Sequence, residues 1–253
     1  MSILKPIQGL WLRDIKKFSR SRWKIMSGLA QPVLYLVVMG IGMDNVFQAA
    51  GYGSYSRFLS PGVVAMAVIT ASFISGFSVL WDRKFGFLKE TLVAPAARWQ
   101  LVVGRCLGAA TTAALQASLI LVLVYLMLGQ WPGVLAVIRM EAAILAVGFL
   151  FAVAGAFCGA VIDDFQAIQV IISFILMPLI FLSGALFPIP QGDSEGLVTF
   201  MKLNPVTYMV DLIRHAMGLS GSFPLSVSAA VYGGLLVALL GLCIRAFMRI
   251  DAS

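Results

Sequence analysis

The chain is short of charge, of histidine and of acidic clusters. Only 11% of its 253 residues are Asp, Glu, Lys or Arg, where soluble domains carry about 25%. With 60% hydrophobic residues and a mean hydropathy of +0.97, an ordinary soluble domain is excluded. The single histidine, His215, has no cysteine or carboxylate cluster beside it, so no metal site is expected. Cys106, Cys158 and Cys243 lie in apolar runs without CxxC spacing and read as small buried hydrophobes. No GxxxxGK[ST] run is present, so this chain does not bind ATP through a P-loop. No G-x-S-x-G nucleophile turn occurs either.

What is present is long apolar runs, and the question becomes how many times the chain crosses a bilayer. A crossing needs about twenty apolar residues. Six runs qualify or nearly so: 25–43, 58–80, 106–128, 142–162, 167–187 and 227–247. Pro61 sits in the first turn of the second, where proline is tolerated. Pro178 lies inside the fifth and predicts a kink. The expected fold class is therefore an all-α membrane protein with six transmembrane helices, residues 1–253 forming a single transmembrane domain. No charge sits in mid-run; Arg139 and Glu141 lie at the outer end of the fourth. Ion-coupled carriers usually need ionisable groups within the membrane, so the energy for transport is expected to enter from outside the spans.

Charge sets the orientation. With the N-terminus inside, the inner segments hold fourteen basic residues and the outer ones four, Arg57, Arg139, Lys202 and Arg214. That asymmetry places both termini in the cytoplasm. It also accounts for the net charge of +7 as loops facing an anionic leaflet, with no nucleic-acid partner implied.

Three stretches outside the spans are amphipathic. In 3–24, Ile7, Leu10, Trp11, Ile15 and Phe18 share one helical face, and Lys5, Arg13, Lys16, Lys17 and Arg20 surround it. That pattern fits a helix in the membrane interface, and neither the long basic run nor the missing small-residue cleavage site fits a signal peptide. The loop 81–105 is basic, and its apolar positions Phe85, Leu88, Leu92 and Val93 recur at helical spacing until Pro95 stops them. The loop 188–226 offers two short amphipathic segments, near 194–202 and 205–217. An outer loop this apolar is expected to fold back against protein, because irregular backbone at membrane depth must be buried. The loop Asp163–Gln166 is very short. Its two adjacent carboxylates, Asp163 and Asp164, point about 100° apart on a helix and face no second acidic cluster, so they make a poor metal site. Small residues at Gly104/Gly108 and Gly155/Gly159 have helix-packing spacing.

Three stretches carry a family resemblance: Phe85-Gly-Phe-Leu-Lys-Glu-Thr-Leu-Val-Ala-Pro95 with Arg98 and Gly104-Arg105; Phe181-Leu-Ser-Gly-Ala-Leu-Phe-Pro188; and Asn204-Pro-Val-Thr-Tyr208 with Asp211 and Arg214. Together with the amphipathic N-terminus and six runs, they make the chain resemble an ABC-2 type permease, the membrane subunit of a bacterial or archaeal ABC exporter. The pattern is nearest the daunorubicin-resistance and nodulation-factor export branch. It departs from the pattern at Lys84, where members often carry an acid, and at Ala97, where a serine often caps the next helix.

The resemblance implies a cytoplasmic coupling helix between the second and third spans, seated in a separate ABC ATPase subunit. Phe85, Phe87 and Leu88 would pack there, and Glu90 and Arg98 would make polar contacts. Asp163 and Asp164 would form a second, smaller contact. The chain itself would carry no cofactor, with ATP and magnesium on the partner ATPase. A second permease chain, identical or paralogous, would complete the pathway within the lipids of the plasma membrane. The outer segments would be re-entrant helices between the fifth and sixth spans, with Phe181, Ser183, Phe187, Asn204 and Tyr208 near the exit gate. An uncharged pathway suits an amphipathic or lipid-linked cargo, whether drug, glycolipid or polysaccharide-like. An ion-coupled secondary carrier and an intramembrane lipid-modifying enzyme are the alternatives.

Overall fold

In the computed structural model, residues 4–49, 53–85, 97–129, 131–188 and 195–249 are described. Every regular element among them is a helix. Helix α1 is Leu4–Arg20; α2 is Arg22–Leu34, which passes through a wide π turn at Tyr35–Met39 into α3, Gly40–Ala49. The next two are α4, Tyr55–Phe77, and α5, Val79–Lys84. Then come α6, Arg98–Leu128, and α7, Val134–Val161. The fifth apolar run holds α8, Ala167–Ile171, a second π turn at Ile172–Leu176, and α9, Met177–Phe181. Last are α10, Glu195–Leu203, α11, Pro205–Ala216, and α12, Leu225–Arg249.

Five helices among the described residues are long and apolar enough to cross a membrane: Ile25–Ala49, Tyr55–Lys84, Arg98–Leu128, Val134–Val161 and Leu225–Arg249. The fifth apolar run differs from the expected continuous helix over 167–187. Its helix stops at Phe181, spanning about 22 Å at 1.5 Å per residue, short of the roughly 30 Å of hydrocarbon. Residues 182–188 turn instead, with Gly184 at φ 75°, a left-handed conformation that glycine adopts without steric cost. Pro178, placed at the start of α9, immediately follows the π turn. The expected kink there takes the form of a widened turn.

The core is formed by α4, α6 and α7. Leu59, Val63, Ile69 and Phe77 from α4 meet Ile120 and Val124 from α6 and Ile144 and Val147 from α7, all buried. Glycines set how near these helices approach. A Cβ added at Gly155 or Gly159 of α7 would collide with the backbone of Phe73 or Phe77 on α4. Gly104 and Gly108 of α6 do something the spacing alone does not reveal. They seat α1, with Ile7 and Asp14 lying over them, and Trp11 Nε1 donates to Thr111 Oγ1 at 3.0 Å. The face of α1 carrying Phe18 turns inward, and Lys16, Lys17 and Arg20 stay exposed.

The outer helices are less covered. Val38 and Ile41 on the α2–α3 segment, Phe174 and Ile175 before α9, and Val237 on α12 are all exposed. Exposed apolar side chains on this scale are ordinary on a lipid-facing or partner-facing surface.

Gly155→Leu is expected to push α7 off α4 and to destabilise the chain by on the order of 3 kcal/mol, the upper range for overpacking. Thermal unfolding of the detergent-solubilised protein would show a clear drop in midpoint. Gly234→Ala, where an added Cβ meets nothing, should leave the midpoint unchanged or slightly raised.

Candidate functional site

Two groups of polar side chains stand at opposite ends of the bundle. One lies at the end that carries both termini, and the other lies at the far end.

At the termini end, helices stop and arginines cover their last carbonyls. A helix leaves four C-terminal carbonyls without intrahelical partners, and a cation there also favours the dipole. Arg83, on α5, donates through Nη1 to Gly159 O at 3.3 Å, Ala160 O at 2.7 Å and Ile162 O at 3.4 Å, closing the end of α7. Its Nη2 pairs with Asp163 at 2.9 Å. Arg98, opening α6, donates through Nη1 to Phe247 O at 2.6 Å and Met248 O at 2.8 Å, closing the end of α12. The start of α6 is itself capped without the serine hydroxyl: Gln100 Oε1 reaches back and accepts from the Ala97 N–H at 2.9 Å. Arg98 is thus half-buried and engaged within the chain.

Asp82 ties three elements together. Its carboxylate accepts from Arg105 Nη1 of α6 and lies 3.6 Å from Arg13 Nη2 of α1. Arg105 also donates to Ser78 Oγ at 2.8 Å. The Arg105 side chain is only 12% exposed, so its charge depends on this partner.

Beside this cluster lies an exposed aromatic surface. Phe165 lies between Trp81 and Phe85, tilted against the first and stacked on the second, with ring centroids 4.9 Å and 6.4 Å apart. The 163–166 loop and the start of the basic segment are therefore side by side, joined by these rings and by the Arg83–Asp163 pair. Asp164 is exposed and accepts from the Gln166 N–H at 2.9 Å. Phe87, Leu88 and Glu90 lie outside the described residues.

At the far end, the turns after α9 are held by three side chains. Asn204 Nδ2 donates to Leu179 O at 2.6 Å, and its Oδ1 caps α11 by accepting from Val206 N at 2.9 Å. Tyr55 Oη donates to Leu186 O at 2.7 Å, and Arg214 Nη2 to Gly184 O at 2.7 Å. Arg214 also lies over the Phe58 ring, 4.3 Å from its centroid. Burial pulls its pKa below arginine's ordinary value, with the nearby Asp211 carboxylate pushing it back up. Asp211 accepts from Ser222 N at 3.0 Å and Phe223 N at 2.8 Å, fixing the turn before α12. His215 Nε2 lies 2.9 Å from Phe223 O. Of the residues expected near a gate, Ser183 and Asn204 are buried and Phe181 and Phe187 are exposed. Tyr208 is half-buried, donating to Lys202 O at 2.7 Å and tilted against Phe223.

The structure also adds residues. Asp82 and Arg83 counted in the sequence only as loop charge, and Arg105 only as a position of the family motif. Tyr55, three residues before the second apolar run, carried no signal. Glu141 lies two turns into α7 and accepts from Ser118 Oγ of α6 at 2.7 Å.

A bundle of long apolar helices with polar groups at both ends and a broken fifth apolar helix defines a multi-pass membrane protein. The profile of the family described as ABC-2 type transporter matches residues 6–217, and the chain belongs to that family. Among its relatives, Nodulation protein J of Neorhizobium galegae is 28% identical over 215 residues, covering 83% of this chain and 80% of the relative. Inner membrane transport permease YadH of Escherichia coli K12 is 27% identical over 254 aligned residues, covering 94% and 92%. The Putative transport permease ycf38 of Porphyra purpurea is 27% identical over 223 residues, covering 84% and 74%.

Asp82→Ala is expected to cost on the order of 3 kcal/mol, the scale for stranding a buried charge. Adding Arg105→Met should recover part of it. A double-mutant cycle by thermal unfolding should give a coupling on the order of 1–3 kcal/mol. Additive losses would mean that the pair contributes nothing specific.

Proposed function

We propose that this chain is the transmembrane subunit of an ATP-driven exporter, with hydrolysis on a separate ABC ATPase that holds the ATP and magnesium. Family membership supports the class. The observation that carries the coupling is the exposed Trp81–Phe165–Phe85 aromatic cluster, which joins the two loops expected to meet a motor. Large aromatic residues exposed beside charged ones suit a protein interface. In this reading the segment 83–95 seats in the ATPase. Phe85, Phe87 and Leu88 pack there, Glu90 makes a polar contact, and Asp163 and Asp164 contact the same subunit. Arg98 acts by holding the start of α6 to the end of α12, so that a push on the loop reaches both helices.

The fifth run completes a sixth crossing, its short helix extended by the covered turns 182–188. Both termini face the cytoplasm, on the side richer in Lys and Arg, and the membrane is the bacterial or archaeal plasma membrane. A second permease chain, identical or paralogous, covers part of the exposed apolar surface on α2–α3 or α8–α9, and lipid covers the rest. Helices α10 and α11 act as re-entrant outer helices, with Phe181, Ser183, Phe187, Asn204 and Tyr208 beside the exit. The cargo is amphipathic or lipid-linked.

An ion-coupled carrier would draw on Glu141 and its Ser118 partner. Glu141→Gln should abolish gradient-driven transport under that reading, and leave ATP-driven export intact under ours. An intramembrane enzyme would draw on the acidic pair. Asp163→Asn with Asp164→Asn should abolish lipid modification under that reading.

The coupling assignment is tested by Leu88→Asp with Glu90→Arg, assayed with the co-expressed ATPase in proteoliposomes. Loss of most of the cargo- or permease-dependent ATPase stimulation is expected, with thermal stability of the permease retained. Normal assembly and normal stimulation would overturn the assignment.

A further inference from the structure

The far end holds a feature that neither the helix-end contacts nor the coupling surface uses. A cavity of about 320 Å³ is lined by Gly53, Ser54, Arg57, Phe58, Arg214 and Ser220 together with Leu219. It contains two guanidinium groups and no carboxylate. Among the described residues neither arginine has an ion-pair partner. The nearby acids are already engaged: Asp44 accepts from Gln48 Nε2 at 2.7 Å, Ser54 Oγ at 3.2 Å and Tyr55 N at 2.8 Å, and Asp211 holds the Ser222 and Phe223 N–H groups. Arg214 is 7% exposed. Its Nη2 is taken by Gly184 O, its Nε is buried without a partner, and its plane is fixed over Phe58. The buried Arg214 guanidinium keeps N–H groups to spare beside the exposed Arg57, with the Asp211 charge near but not ion-paired to it, an arrangement that suits an anion.

A second cavity of about 220 Å³ adjoins it, sharing Arg57 and Leu219 and lined further by Leu128, Trp131, Ala136 and Met217. Its lining, which also includes Tyr125 and Pro132, is more apolar than polar. We propose that the two cavities together bind a phosphate carried on an apolar chain. Arg57, Arg214 and the Ser220 hydroxyl meet the phosphate oxygens, and the chain runs along Leu128, Trp131 and Met217. Two charged donors and a hydroxyl suit the several oxygens of a phosphate, and the fork of each guanidinium can present two N–H groups to it. The phosphate could be supplied by a resident membrane phospholipid or by a phosphate-bearing cargo. The site rests on this geometry alone; a part for it in export rests on the permease reading.

The test uses the full chain in a neutral maltoside detergent, titrated calorimetrically with dihexanoyl phosphatidic acid, with dihexanoylglycerol and with inorganic phosphate. Phosphatidic acid is expected to bind at least tenfold more tightly than either of the others. Arg57→Gln should weaken it about tenfold or more, the scale of a charge-assisted hydrogen bond. Arg57 is exposed and makes none of the chain's described hydrogen bonds, so this variant should fold. Arg139→Gln, an exposed arginine of α7 outside both cavities, should change nothing. Equal affinity for phosphatidic acid and dihexanoylglycerol, or unchanged affinity in Arg57→Gln, would overturn the proposal. Native mass spectrometry of the chain released from its own membrane then separates the sources. One retained phospholipid per chain, lost in Arg57→Gln, assigns the site to the membrane. Phosphatidic acid binding without a retained lipid assigns it to cargo. No ATPase takes part, so failure here leaves the permease reading standing, and failure of ATPase recovery leaves the site standing.

Discussion

A backbone carbonyl left without a partner in apolar surroundings costs several kcal/mol, and this chain meets that constraint with scarce polar side chains. Arg83 covers the last carbonyls of α7 and Arg98 those of α12. Asn204, Tyr55 and Arg214 cover Leu179, Leu186 and Gly184 where the fifth apolar helix breaks. Each contact links residues from 25 to 150 positions apart in the chain. The helix ends are therefore cross-braces as well as termini. Removing one of these side chains exposes carbonyls on a different element from the one that carried it.

This bracing determines what can move together. At the termini end, Asp82 joins α1, α5 and α6 through Arg13 and Arg105, and Arg83 joins the 163–166 loop to the same place. A load applied at the basic segment would reach α6, α7 and α12 through charged contacts and glycine-close packing rather than through flexible loops. At the far end Tyr55 of α4 and Arg214 of α11 hold the turns 182–188, and Asn204 holds the end of α9. A few hydrogen bonds hold that region, and a short set of bonds is easier to exchange than a continuous helix. The exporter proposed above would need a stiff middle and an exchangeable end, and these contacts suit that proposal.

The sequence made periodic features legible. Apolar run length located the long helices, and the apolar spacing of Ile7, Trp11 and Phe18 located α1. The two amphipathic stretches of the 188–226 loop correspond to α10 and α11, because amphipathicity is a local, one-dimensional signal. Pairing across the chain was not legible. Arg98 was expected to contact the ATPase, and its partners inside the chain, Phe247 and Met248, were not legible because they lie about 150 residues away. Gly104 and Gly108 have the spacing of span packing, yet they receive α1, and spacing does not say which helix fills a groove. The break after Phe181 was hidden because residues 182–188 are as apolar as a helix; Gly184 and Pro188 were the only local signals. The family motif did mark Asn204, Asp211 and Arg214, and their shared task of holding irregular backbone appears only in three dimensions.

A separate motor is proposed to drive this chain. That proposal is tested most directly by purifying the tagged chain from its native membrane in mild detergent and measuring the stoichiometry of what comes with it by mass spectrometry. A P-loop ATPase at one copy per permease chain is expected. Recovery of the chain alone, with no nucleotide-binding partner, would contradict the proposal.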